Sequence, residues 1–225
     1  MCGRFTRKGN FQQLAKFLGL RTIPQLPPRY NIAPSQLIAC VRTNPESQEN
    51  ECVQLKWGLV PSWAKDPSIG HKMINARAET VAEKPSFRKA FQQQRCLILA
   101  DGFYEWKREG KEKQPYYIHF TDNRTFVFAG VWERWETDSE PPLESCAIIT
   151  TGPNALMEPI HHRMPVILHP KDYALWLDLT VHEAPSLASL LQPHPPEHME
   201  TYPVSRLMNN PRNDGPTCHL PFVEG

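Results

Sequence analysis

No apolar run in the 225-residue sequence approaches the ~20 residues that cross a bilayer, and no leader-like pattern opens it. A membrane role is not expected. Nor does one sign of charge dominate. With 25 basic and 24 acidic residues the formal net charge is +1, which excludes indiscriminate coating of nucleic acid but leaves room for a local basic groove. Paired cysteine spacing is missing too: the cysteines at 2, 40, 52, 96, 146 and 218 include no CxxC, and the chain holds no HExxH. Reduced thiols in a cytoplasmic setting are therefore expected, with no disulfide, no metal and no cofactor. Internal repeats and a clear linker are also absent, so one domain over residues 1–225 is the expected organisation.

Proline is plentiful, at 23 residues, and favours turns and short strands over long helices. The apolar pattern predicts a short helix over 10–18, ended by Gly19, and further helices over 86–94, 171–177 and 184–191. The stretch 24–28 reads as a loop. Strands are predicted over 37–42, 52–59, 95–100, 103–107, 116–120, 126–132, 146–151, 164–168 and 201–205. Hairpin turns are expected around Gly110 and over 121–125. The tail after about Asn209 reads as less ordered. The fold class is α+β, a single domain built on a mainly antiparallel, barrel-like β-sheet with flanking short helices.

Several polar residues stand out against that frame. Met1 precedes a small residue, so its removal is expected, leaving Cys2 with a free α-amine beside its own thiol. The amine titrates near ~7.7–8.0 and the thiol near ~8.5. An aldehyde meeting this pair forms a Schiff base that the thiol closes to a thiazolidine. Further along, an extended Lys72–Glu79 stretch puts Asn75, Arg77 and Glu79 on one face. There an Asn can orient a nucleophile and an Arg can hold a phosphate bidentately; a solvated strand face or an Asx turn is the plainer reading. Glu105 follows an apolar strand and lies between Tyr104 and Trp106, a setting that raises a carboxyl pKa and suits acid–base work. Its plainer reading is an exposed edge-strand carboxylate. His161, His162 and Arg163 precede a short strand, and histidine is the natural proton carrier near neutral pH. In an extended segment the two imidazoles point to opposite faces, with Arg163 on the side of His161. His194 and His198 are separated by two prolines and read as loop residues. Of the six tryptophans, Trp63 follows Pro61-Ser62 in a loop, where an exposed ring can stack on a base.

Six blocks carry a resemblance. Met1-Cys2-Gly3-Arg4-Phe5, Tyr30-Asn31-Ile32-Ala33-Pro34, Trp57-Gly58-Leu59-Val60-Pro61, Ile74-Asn75-Ala76-Arg77-Ala78-Glu79, Asp101-Gly102-Phe103-Tyr104-Glu105-Trp106 and His161-His162-Arg163-Met164-Pro165 resemble, in order, the motifs of the SRAP family. These are the SOS-response-associated peptidase-like proteins, which process abasic sites in DNA. The resemblance implies a β-rich domain with Cys2 at the floor of a cleft for single-stranded DNA or ss/ds junctions. It also implies a thiazolidine crosslink between Cys2 and the aldehyde of an abasic sugar, an accompanying AP lyase activity, and self-removal of Met1. Carried over residue by residue, Cys2 is similar to the crosslinking residue and Asn75 to the one that positions it. Glu105 resembles the residue assisting proton transfers, and His161 the histidine acting on the sugar. Arg4, Arg77 and Arg163 resemble phosphate contacts, and Trp63 lies in the loop facing bases. In one departure, the acidic residue that often follows the family's histidine is His162 here, and a protonated ring there lowers its neighbour's pKa by repulsion.

The resulting expectation is a monomeric DNA-repair protein of the cytoplasm, nucleoid-associated in a bacterium, that shields abasic sites covalently. Two other readings stand beside it: a cysteine peptidase with Cys2 as nucleophile, and a non-catalytic module that binds DNA junctions by shape.

Overall fold

The computed structural model describes residues 2–20, 24, 26–137 and 141–222. Met1, Gln25 in the predicted 24–28 loop and the last three residues of the tail lie outside the described residues. In chain order the first half contributes β1 (Arg4–Arg7), α1 (Gln12–Phe17), β2 (Arg29–Ile32), β3 (Leu37–Thr43), β4 (Asn50–Trp57), β5 (Asn75–Arg77), α2 (Arg88–Gln93) and β6 (Arg95–Ala100). The second half contributes β7 (Gly102–Glu109), β8 (Glu112–Phe120), β9 (Phe126–Trp135), β10 (Leu143–Thr151), β11 (Met164–Pro165), α3 (Tyr173–Leu177), α4 (Ala184–Ala188) and β12 (Met199–Pro203).

One sheet closes on itself. Its order is β10-β4-β3-β6-β9, and β9 pairs back onto β10 from Leu143↔Trp135 to Ile148↔Gly130. Parallel pairing occurs where β10 meets β4 and β5, and the other pairs named for this sheet are antiparallel. The predicted α+β class with a barrel-like sheet is the fold observed. All six residues of β6 are buried, because both of its faces are covered. Leu97 and Leu99 pack with Phe91 of α2 and Trp176 of α3, while Cys96, Ile98 and Ala100 join a cluster shared with the second sheet. This double burial makes the strand read as a continuous apolar run.

The second sheet has the order β12-β8-β7-β1-β2. Phe5 of β1 is its anchor, with ring centroids 5.3 Å from Trp57 and 5.7 Å from Phe128 in edge-on contact. The stretch 121–125 was predicted as a hairpin turn, and this is corrected: β8 and β9 belong to different sheets. Phe120 and Phe126 flank the turn and meet edge-on at 5.2 Å in the core between the sheets. Burying those rings together takes precedence over backbone pairing across the turn.

The tail after Asn209 was also expected to be loosely held, yet up to residue 222 it is tied down. Asp214 accepts hydrogen bonds from the backbone N–H of Tyr30 (2.6 Å) and Asn31 (2.8 Å) and pairs with Arg29. The Asn31 amide donates to the carbonyls of Met208, Asn210 and Asn213, and Cys218 is buried. A polar, proline-containing segment reads as loose because these partners lie some 180 residues earlier, 184 for the Tyr30 contact.

Gly58, in the turn after β4, has φ +131°, and a Cβ there would lie 2.6 Å from the Gly70 carbonyl oxygen. Backbone cannot yield as a side-chain tip can. Gly58→Ala is therefore expected to destabilise the fold by roughly 3 kcal/mol, read as a lowered denaturant midpoint at unchanged slope.

Candidate active site

β1 brings the chain's start to the site. It pairs antiparallel with β7 in the register Arg4↔Tyr104 and Phe5↔Phe103, so the residues before Arg4 run on beside Glu105. Cys2 is fully buried, its thiol 3.8 Å from the Arg4 carbonyl. Burial pushes the thiol pKa well up, and the charge of Glu105 adds to the effect. β5 supplies the support from the other side. Held parallel to β10 with Asn75 opposite Ile148, it directs the Asn75 amide to the Cys2 carbonyl at 2.9 Å. Asn75 Oδ1 is buried and has no hydrogen-bond partner among the described residues, leaving an acceptor available beside Cys2.

Glu105 on β7 is 2% exposed, and burial raises its carboxyl to about 7. The exposed edge-strand reading of this residue therefore does not hold. His161 places Nδ1 3.8 Å from Glu105 Oε1. Its pKa is lowered, chiefly by burial, with the neighbouring His162 charge contributing in the same direction. The raised carboxyl and the lowered imidazole pKa both favour the neutral forms, a carboxylic acid that can donate a proton beside an imidazole that can accept one.

Glu105 and His161 line a groove of about 770 Å³ together with Trp106, Lys107, Arg108, Lys113 and the 158–162 segment. His162 lines it too, which corrects the expectation of opposite faces. The segment bends at 161–163 instead of running extended, and the two imidazole rings lie 4.4 Å apart, tilted by 30°. A bend suspends strand alternation, so both rings face the same space.

The cations divide. Arg163 is held by Glu79 through both carboxylate oxygens, at 2.5 and 3.0 Å, and also donates to the Thr150 carbonyl. Its side chain is only 11% exposed. Arg4 donates to Asn31 Oδ1 and to the carbonyls of Met208 and Asn209, tying the first strand to the C-terminal segment. Arg77 is exposed at the end of β5 and forms no ion pair within 4 Å among the described residues. β5 ends at Arg77, so Glu79 turns away from that strand's face onto Arg163. Trp63 is 59% exposed and lines a separate hollow with Lys65, Asp66 and Lys72. Sequence reasoning missed the Glu79–Arg163 pair and the groove wall formed by Lys107, Arg108 and Lys113. For the wall there was a usable signal, a basic hairpin continuing directly from Glu105.

A closed barrel, a second sheet packed on it, and a buried cysteine at position 2 near the Glu105–His161 pair define the class: a barrel protein with its own N-terminal segment built into the candidate site. Residues 1–211 match the SRAP family, SOS response associated peptidase; the chain belongs to that family. It is 47% identical over 220 residues to abasic site processing protein YoqW of Bacillus subtilis, covering 96% of this chain and 97% of that one. To abasic site processing protein HMCES of Xenopus tropicalis it is 36% identical over 201 residues, 79% of this chain and 59% of that protein. A crystal structure of a protein from Bacteroides thetaiotaomicron superposes with a TM-score of 0.82 at 30% identity, covering 97% of this chain and 100% of the other.

Proposed function

We propose that this protein processes abasic sites in single-stranded DNA, or at ss/ds junctions, by joining Cys2 covalently to the sugar aldehyde. The observation that carries the reading is the placement of Cys2: its carbonyl is held by Asn75 at 2.9 Å, and it lies beside the Glu105–His161 pair.

With Met1 removed, the Cys2 α-amine attacks C1′ of the open-chain sugar. One water leaves and an imine remains. The thiol then adds to the imine carbon, its proton passing to nitrogen, and the thiazolidine closes with a net loss of one water. The raised thiol pKa favours this order, because the amine is the better nucleophile of the two at neutral pH. Glu105, near 7, donates the proton that carries water away and can later take one back. His161 accepts a proton from the sugar. Should it remove one from C2′ of the imine, the electrons expel the 3′ phosphate and the strand is nicked, which is the AP lyase side reaction. The same thiol disfavours general proteolysis, which depends on a thiolate.

Arg77 is the exposed cation proposed to hold a backbone phosphate. Arg77→Ala is expected to weaken single-strand binding and to flatten the log–log salt dependence by about 0.7, the share of one phosphate contact. An unchanged slope in a titration from low to high salt places Arg77 outside the binding surface.

Incubation with abasic, undamaged and peptide substrates tests the whole reading. A denaturant-resistant adduct with the abasic oligonucleotide alone is expected. Peptide turnover without an adduct supports the cysteine peptidase, and reversible binding without an adduct supports the junction-binding module.

A further inference from the structure

The hairpin that continues from the catalytic strand carries two cross-strand pairs of like charge. β7 and β8 pair Arg108 with Lys113 and, one step nearer the turn, Glu109 with Glu112. Like charges directly opposite each other on adjacent strands are destabilising. The acidic pair is neutralised within the protein: Lys107 Nζ lies 3.6 Å from Glu109, and Arg206 binds Glu112. The basic pair has no such relief. Neither Arg108 nor Lys113 forms an ion pair within 4 Å among the described residues, and both line the groove that holds Glu105 and His161. Glu158 also lines the groove, but it forms no ion pair with either cation within 4 Å.

We propose that Arg108 and Lys113 form a phosphate subsite that holds the DNA strand where it leaves the reacting nucleotide. The proposal rests on the nucleic-acid reading given above and extends it in one direction. At about 3.3 Å per strand residue, Arg108 lies about 10 Å along β7 from Glu105, within reach of the phosphates beyond the one beside the reacting sugar. An anion between the two cations removes their repulsion, so the pair is disfavoured in the free protein and satisfied in the complex. In this proposal the hairpin touches the strand on one side of the abasic position only. The subsite recognises the phosphodiester and is indifferent to base identity.

The test is a salt titration of undamaged single-stranded oligonucleotide binding for the full-length protein and the variants Arg108→Gln, Lys113→Gln and the double variant. Lys111→Gln, in the same hairpin but outside the groove lining, controls for net charge, and Arg77→Gln marks the nucleic-acid reading itself. Each single groove variant is expected to flatten the log–log slope by about 0.7 and the double by about 1.4, with Lys111→Gln unchanged. Abasic oligonucleotides extended on the 5′ side only or the 3′ side only should then show the double variant's loss with one of the two. The double variant's midpoint for thermal unfolding should rise in the absence of DNA. If Arg77→Gln flattens the slope and the groove variants do not, the subsite is overturned while the nucleic-acid reading stands. Equal losses in Lys111→Gln, or equal losses with both extensions, also overturn it, since they report diffuse charge. If the unaltered protein shows no salt-dependent binding, the nucleic-acid reading fails and the subsite fails with it.

Discussion

Placing one uncleavable residue ahead of Cys2 is expected to abolish the covalent adduct outright. The extension turns the α-amine into an amide nitrogen, which cannot form an imine, while leaving the thiol intact. Cys2→Ala behaves differently. It keeps the amine and loses the thiol, so the imine still forms, can be trapped by borohydride, and can proceed to strand cleavage, but no stable ring accumulates. The two variants separate the two nucleophiles that share one carbon skeleton. Gel analysis under denaturing conditions, with and without borohydride, distinguishes them. An extended protein that crosslinks at the full rate removes the amine from the mechanism.

The second large effect concerns the acid–base pair. His161→Ala is expected to slow adduct formation, reversal or strand cleavage by ~10²–10⁴, the usual scale of positioned proton transfer. His162→Ala should leave the chemistry in place and move the acid limb of the pH–rate profile. A protonated His162 lowers the His161 pKa, so removing it raises that pKa. His161 is then protonated, and lost as a base, at a higher pH, and the acid limb shifts upward. Glu105→Gln should impair the reaction on a comparable scale while stabilising the fold at alkaline pH. The Glu105 carboxyl is raised in the folded protein from 4.5 to about 7. Its contribution is thus fully present below the unfolded pKa and is lost as pH rises through 7. Above that the buried carboxylate costs on the order of 3 kcal/mol, which glutamine does not incur. The gain should appear at pH 8 to 9 and vanish by pH 4. A Glu105→Gln variant with no alkaline gain in denaturant midpoint would show that the carboxylate is not desolvated.

The candidacy of Cys2 could be argued from two residues, because an aminothiol is a local feature of the chain. Most of the longer strands could be read as well, since β6 and β9 are long apolar runs whatever covers them, but the short β1, β2 and β5 were not among the predicted strands. The sequence did not reveal which strands share a sheet. The 121–125 stretch has turn composition, and only the packing of Phe120 against Phe126 shows that the chain changes sheets there. Partners distant in sequence were equally hidden. Glu79 shares a motif with Arg77 but binds Arg163, 84 residues away, and Asp214 secures a tail that composition alone reads as loose. The histidine pair shows the same limit on a smaller scale. Strand alternation is a sound rule for an extended backbone, but the bend at 161–163 brings both rings to one groove.

Intact-mass and peptide-level mass spectrometry of the protein reacted with an abasic oligonucleotide tests the central claim most directly. The account predicts one adduct per chain, with a mass equal to the Met1-less protein plus the oligonucleotide minus one water. The nucleotide remnant should lie on Cys2, and the Cys2 thiol should no longer react with alkylating reagents. An adduct on any other residue, an adduct that retains Met1, or a Cys2 thiol still open to alkylation would contradict it.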